Sequence, residues 1–364
     1  MQRLSSSILQ PEMISAVDVA ERSGRILLRA GMPFQEKHIQ QMNKLGFGSA
    51  YVELPLCIAE PPAKILNRDV QESSLKIVRQ VYETYRDKGE ADGTPIRDLA
   101  NRLVNEVIVN RGRLVQWVDL RTPEDYLPAH VLQVAVLSIL IGLKLEYYPA
   151  KLQELCVGAL MLDIGEMLIP PEILHKSEKL TPEEMEIIKK HPENGFEGLR
   201  KKITGIPATS AHVAYQHHEN FAGNGYPRGI GGTEIHEYAR IVSVADMFDA
   251  LVSDRPFRHY YLPHEAAGIL QALAGKLLDP EMVSALLHYV AFYPTGELVR
   301  LDTGEYGEVQ VIEATNPSRP KLRLLTDKWG KRLREPEWFD LGRQRSRYID
   351  KVLKDNEIME WITK

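Results

Sequence analysis

From Pro123 to about Phe292 the apolar residues recur at helical spacing nearly throughout, and a loop rich in glycine and proline, Gly223 to Gly232, is the one interruption. Histidines gather inside this helical stretch, among them the adjacent pair His217-His218. Two neighbouring imidazoles directed into one apolar region are costly to leave without partners. A divalent cation removes that cost while keeping both rings neutral. The longest apolar run, Val131 to Leu145, contains Gln133 and Lys144 and follows His130, so it reads as a buried helix and not as a membrane span.

The rest of the chain divides around that stretch. Residues 1–65 mix short β-like runs, Arg25 to Leu28 and Ser49 to Glu53, with a helical segment at Glu36 to Leu45, which predicts a small α+β domain closed by Pro61-Pro62. Residues 66–117 are charged and amphipathic and predict a helical connector, with apolar residues at Val70, Leu75, Val78 and Val81 and a second helix over Ile96 to Val109. Residues 118–292 form the helical domain. Residues 293–364 predict a small β unit, from turn glycines alternating with β-branched residues in GELVRLDTGEYGEVQVIEA, and a last amphipathic helix over roughly Leu341 to Thr363. A formal charge of −5 gives no global basic field, which argues against DNA as a partner while leaving room for a local phosphate site. Cys57 and Cys156 match no disulfide or metal spacing, and the first residues lack a basic segment followed by an apolar run. A cytoplasmic protein with no membrane partner is the expectation.

The candidate ligands are His130, Asp163, His191, His217, His218 and Asp246. Histidines set among aspartates supply borderline and hard donors together, the set that lets a carboxylate bridge two ions and activate a water against a phosphate ester. Each residue taken singly also fits an ordinary buried side chain. Taken in order, AHVLQVA, ALMLDIGEMLIPPEIL, KKHPENGFEGL, HHENFAGNGYPRGI and ARIVSVADMFDALVSDRPFR resemble the HD-GYP family, bacterial phosphodiesterases that open cyclic di-GMP. The resemblance implies a mainly α protein, an HD-superfamily helical bundle with a small α+β N-terminal domain and a small C-terminal β segment.

It further implies that His130 is the first metal ligand, Asp163 the bridging carboxylate and, in an active enzyme, a catalytic residue. His191, His217, His218 and Asp246 would complete the set. One or two divalent ions are implied, with iron or manganese expected and zinc or nickel compatible with the same donors. Tyr226 and Pro227 fall in the GYP loop, where Tyr226 either meets the ligand or anchors the loop. Arg255 and Arg258 are implied to meet the ligand's phosphates, the alternative being helix-end salt bridges. The implied partner is cyclic di-GMP or a related dinucleotide. A protein partner is open, and so is a homodimer through the connector. The segment GRILLRAGMPFQEKHIQQMNKLGFGSAYVE resembles stretches found ahead of such domains.

Two positions depart from the family. The dyad histidine is Leu162, which cannot bind a metal, and the lysine three residues after the aspartate is Glu166, which reverses the local charge and repels phosphate. Glu166 also lies one turn beyond Asp163, from where a carboxylate could replace the lost imidazole. Tyr126 stands where some members place a glutamate for a third metal, so none is expected. Three readings remain: a metal- and dinucleotide-binding signalling protein with weak or no hydrolysis, a working phosphodiesterase with an altered site, and a structural or partner-binding protein without metal.

Overall fold

The helix Tyr126–Lys144 is apolar on every side, and residues Val131 to Gly142 are almost all buried, so the fold has to wrap it. In length and composition it is also the one helix among the described residues able to cross a membrane, but 72% of its most apolar window is buried within the protein. The computed structural model describes residues 2–20, 26–45, 47–54, 65–112, 114–115, 126–174, 176, 178–253, 260–313 and 315–363. They fall into two compact units, one made of residues 1–64, 114–125 and 290–364, the other of residues 65–113 and 126–289.

The first unit begins with strands β1 (Gln2–Ser5), β2 (Ile14–Ser15), β3 (Val19–Ala20) and β4 (Ile26–Leu28), helix α1 (Glu36–Lys44) and strand β5 (Ser49–Glu53). Strand β5 lies between β1 and β2, antiparallel to both, while β3 and β4 form a hairpin. The expected α+β pattern is present, but it is not closed on itself. Leu4, Phe34, Met42 and Val52 share one apolar core with Leu298, Leu325, Leu353 and Ile358 from the far end of the chain. The backbone N–H of Ser5 donates to the Asp355 carboxylate (2.9 Å), and the Gln2 amide donates to the Gly296 carbonyl. Neither segment carries enough apolar surface to bury alone, and each supplies what the other lacks.

The second unit holds α2 (Arg68–Lys88), β6 (Ala91–Asp92), α3 (Thr94–Val109), α4 (Tyr126–Lys144), α5 (Pro149–Leu160), α6 (Pro171–Leu174), α7 (Pro182–Ile188), α8 (His191–Lys201), β7 (Ile203–Thr204), α9 (Ala208–Gln216), α10 (Glu237–Val252), α11 (Pro263–Leu273) and α12 (Pro280–Leu287). Helix α4 packs on α5, α10, α12, α2 and α3. The expected connector therefore belongs to this bundle: α2 buries Val78, Val81, Tyr82 and Tyr85, and α3 buries Ile96, Leu99, Leu103 and Val107. The Pro61-Pro62 closure and the boundary at residue 117 lie outside the described residues.

The chain ends in a five-stranded antiparallel sheet of order β11-β10-β9-β8-β12, from β8 (Leu298–Leu301), β9 (Tyr306–Val311), β10 (Lys321–Thr326), β11 (Arg332–Asp340) and β12 (Ile349–Val352). The last helix, α13, runs over Asp355–Thr363 and not from Leu341. Residues Ile349 to Val352 pair with β8 instead, because their β-branched side chains complete the sheet edge. The architecture is mainly α with small β regions.

Candidate metal centre

Helix α5 ends at Leu160, and Met161 and Leu162 continue the chain fully buried into Asp163, which opens a 3-10 turn over Ile164–Leu168. The Asp163 carbonyl accepts from the Glu166 N–H (2.9 Å), which fixes this turn. Gly165 sits so close to α8 that a Cβ there would lie 2.0 Å from the His191 carbonyl oxygen. Only glycine lets the turn approach that closely, and the approach is what brings Asp163 against the first residue of α8.

The two Asp163 oxygens face different partners. Oδ1 lies 3.5 Å from His217 Nε2 and 3.7 Å from His191 Nε2, whereas Oδ2 lies 3.6 Å from His130 Nε2. His130 Nε2 is also 3.2 Å from Asp246 Oδ1. The ligating atoms of His191, His217 and His218 lie within 4.8 Å of one another, a group able to hold a metal ion. The structure thus gathers His130, Asp163, His191, His217, His218 and Asp246 at one place, from α4, the turn after α5, α8, the end of α9 and α10.

Tautomers test whether a cation fits. His191 Nδ1 is 2.8 Å from the Ile188 carbonyl, and His217 Nδ1 is 3.0 Å from that of Ala214. Carbonyls only accept, so both Nδ1 atoms donate, and in the neutral rings both Nε2 atoms present lone pairs that face each other at 3.2 Å. Two lone pairs so close repel unless a proton or a metal stands between them. Nitrogens sharing one tetrahedral ion stand roughly 3.3 Å apart, so the spacing suits a metal.

On the other side His130 Nδ1 donates to Asp249 Oδ2 at 2.6 Å, and Asp249 is fully buried. This carboxylate–histidine pair aims Nε2 at the centre and raises its basicity. Asp249 was missed in the sequence, although its position three residues after Asp246 on α10 puts both on one helix face. Tyr126, one turn before His130, stacks on the His130 ring at 5.9 Å.

Burial alone would raise the Asp163 pKa, but the hydrogen bond and charge of His217, with His191 and His130, hold it well below the carboxylate range. Burial likewise opposes charge on His130 and His217, yet Asp246 and Asp249 raise the first and Asp163 raises the second. His218 behaves oppositely: burial, then the neighbouring His217, lower it to about 3, which leaves it neutral and ready to donate a lone pair. His191 is lowered for the same reasons. Asp246 stays below its usual value because His130 outweighs its burial.

The Gly/Pro loop folds back over this centre. Glu219, buried directly after the histidine pair, accepts from the N–H groups of Arg228 (2.8 Å) and Ile230 (3.2 Å), and the Tyr226 N–H donates to the His218 carbonyl (3.2 Å). The Tyr226 ring then stacks on His218 at 4.8 Å. Gly225 permits the fold, since a Cβ there would lie 2.3 Å from the Asn220 nitrogen. Glu219 was also missed, and its place beside His217-His218 was the available signal. Glu166 is half-buried, and its charge, with those of Asp163 and Asp246, adds to burial in raising the Tyr226 hydroxyl. Arg255 and Arg258 lie outside the described residues.

Residues 107–282 match the HD domain family, and residues 298–360 match the KOW domain associated with HD domain. The chain is 31% identical over 304 residues, 81% of its own length and 73% of the relative's, to cyclic di-GMP phosphodiesterase PA4108 of Pseudomonas aeruginosa. This chain belongs to the HD-GYP family. A cyclic di-GMP phosphodiesterase of Thermotoga maritima is 38% identical over 182 residues, which is 50% of this chain and 48% of that one. The solved structure of Bd1817, an HDG"Y"P protein from Bdellovibrio bacteriovorus, aligns over 78% of this chain and 97% of its own at 20% identity and a TM-score of 0.48.

Proposed function

We propose that this HD-GYP protein binds a divalent metal and, with it, cyclic di-GMP or a related cyclic dinucleotide, and that it hydrolyses the ligand weakly or not at all. The observation that carries this reading is the inequality of the two sides of Asp163. One side offers three imidazoles, of which His191 and His218 are lowered toward the neutral form, and Oδ1; the other offers His130, Asp246 and Oδ2, with the buried Leu162 where the family places an imidazole. A first ion would be held by His191, His217, His218 and Asp163, and a second, more weakly, by His130, Asp246 and Asp163. A bound ion would polarise a phosphate oxygen and acidify a water.

The named activity of the relatives supports the ligand class. Iron or manganese suits the donor set, and the buried helix α4 is compatible with a cytoplasmic location. Arg255 and Arg258 keep the phosphate role in this proposal, and Tyr226 borders the ligand. The chain's own residues orient the phosphate and hold Asp163 ionised, but Glu166 repels the oxygens that a lysine would neutralise. A working phosphodiesterase is the second reading, favoured by the half-buried Glu166 one turn beyond Asp163, from where its carboxylate would complete the weaker side.

An anaerobic assay with manganese or iron and cyclic di-GMP, with metal counted on the same sample, tests both. Bound metal and bound nucleotide without turnover support the first reading. Turnover that Asp163→Ala and Glu166→Ala both abolish makes the protein an enzyme with Asp163 catalytic.

A further inference from the structure

A cation stands beside the Tyr226 ring of the GYP loop, on an element that the family's lysine does not occupy. Lys189 ends α7, directly after Ile188, whose carbonyl fixes the His191 ring (2.8 Å). The Lys189 Nζ stands 5.9 Å from the centroid of the Tyr226 ring, within cation–π range, and that ring stacks on His218 at 4.8 Å. The Tyr226 ring therefore neighbours both the Lys189 ammonium and the His218 imidazole of the three-histidine side. Lys189 also pairs with Glu186 at 2.7 Å, but the two side chains are 40% and 69% exposed. Water screens such a pair, and it holds a lysine only loosely.

The electrostatics of the rim ask for this charge. Asp163 and Asp246 both lie against His130, and the half-buried Glu166 is one turn beyond Asp163, so a phosphate entering the centre meets three carboxylates. A lysine on a flexible stem can leave a solvated glutamate for a phosphate oxygen and gain a charge-assisted hydrogen bond in a less solvated place. We propose that Lys189 binds a phosphate oxygen of the dinucleotide from the Tyr226 side, supplying from α7 the positive charge that Glu166 denies to the turn after Asp163. The proposal rests on the dinucleotide-binding reading above and adds to it the side from which the phosphate is held.

Calorimetry of the full chain loaded with manganese, titrated with cyclic di-GMP at two ionic strengths, tests it. Lys189→Ala should weaken binding about tenfold or more and flatten its salt dependence, with metal content unchanged. Lys189→Arg should restore most of the affinity, and Glu186→Gln, which releases the lysine, should leave binding equal or tighter. Affinity for Lys189→Ala within about twofold of wild type overturns the assignment to Lys189 alone. Loss of manganese in Lys189→Ala also overturns it, because the residue would then serve the His191 turn and not the ligand. Wild-type protein that holds manganese but takes up no cyclic di-GMP overturns the dinucleotide reading itself.

Discussion

The two sides of Asp163 orient their donors by different means. On the three-histidine side, His191 and His217 are oriented by backbone carbonyls and His218 is covered by Tyr226, so backbone and loop fix the donors. On the other side His130 is oriented by a single buried carboxylate, Asp249, and the neighbouring position is the apolar Leu162. The difference teaches that donors in one centre can be aimed by backbone on one side and by a buried side chain on the other. Asp249 holds His130 in place beside an apolar position.

Asp163→Ala should have the largest effect, since one carboxylate faces both sides. Metal content after desalting should fall at least about tenfold, and the loss should be measurable by elemental analysis. Retention of most of the metal would separate the two sides and break the comparison. Leu162→His should raise the weaker side toward occupancy, from about one ion per chain to about two, provided the buried imidazole finds the cation. An unchanged count with an unchanged melting temperature would mean that position 162 does not reach the centre.

Asp249→Asn should weaken the second ion by about tenfold to a hundredfold and leave the first in place, read by metal titration. The smallest expected effect is on pH dependence without metal. His218 is held near 3, so the unfolded chain takes up a proton near pH 6.5 that the folded chain refuses until about pH 3. Stability therefore falls as the pH is lowered across that window, by about 1.4 kcal/mol per pH unit for one proton. His191 adds the same sign. His130 and His217, both raised, stabilise fully below their unfolded pKa and lose that contribution only as pH rises through their folded values. In metal-free His218→Asn, chemical denaturation between pH 4 and about 6 should show a slope shallower by about one proton.

Much of the centre was legible because its donors sit in short motifs with chemically restrictive residue types. The pair His217-His218 in an apolar helical stretch required a partner before any fold was known. Asp249 and Glu219 were harder: each is a carboxylate beside a recognised ligand, and only burial distinguishes an orienting carboxylate from a solvated one. The helices of the bundle followed from periodicity, a local property. The shared core of Leu4, Phe34, Leu325 and Ile358 did not, because a contact between residues so far apart leaves no mark on the spacing within either segment. The start of α13 was misplaced because Ile349 to Val352 has both strand and helix character until its partner strand decides.

That shared core sets a calendar for the chain's birth. The ribosome delivers β1 and β5 before their apolar partners in β8, β10 and α13, with the whole helical bundle in between. Domains tend to fold as they emerge, so the bundle can close on its histidines while the opening strands still wait. The bundle that gathers the candidate donors would then be the older structure in every molecule, although strands that precede it in sequence are made before it.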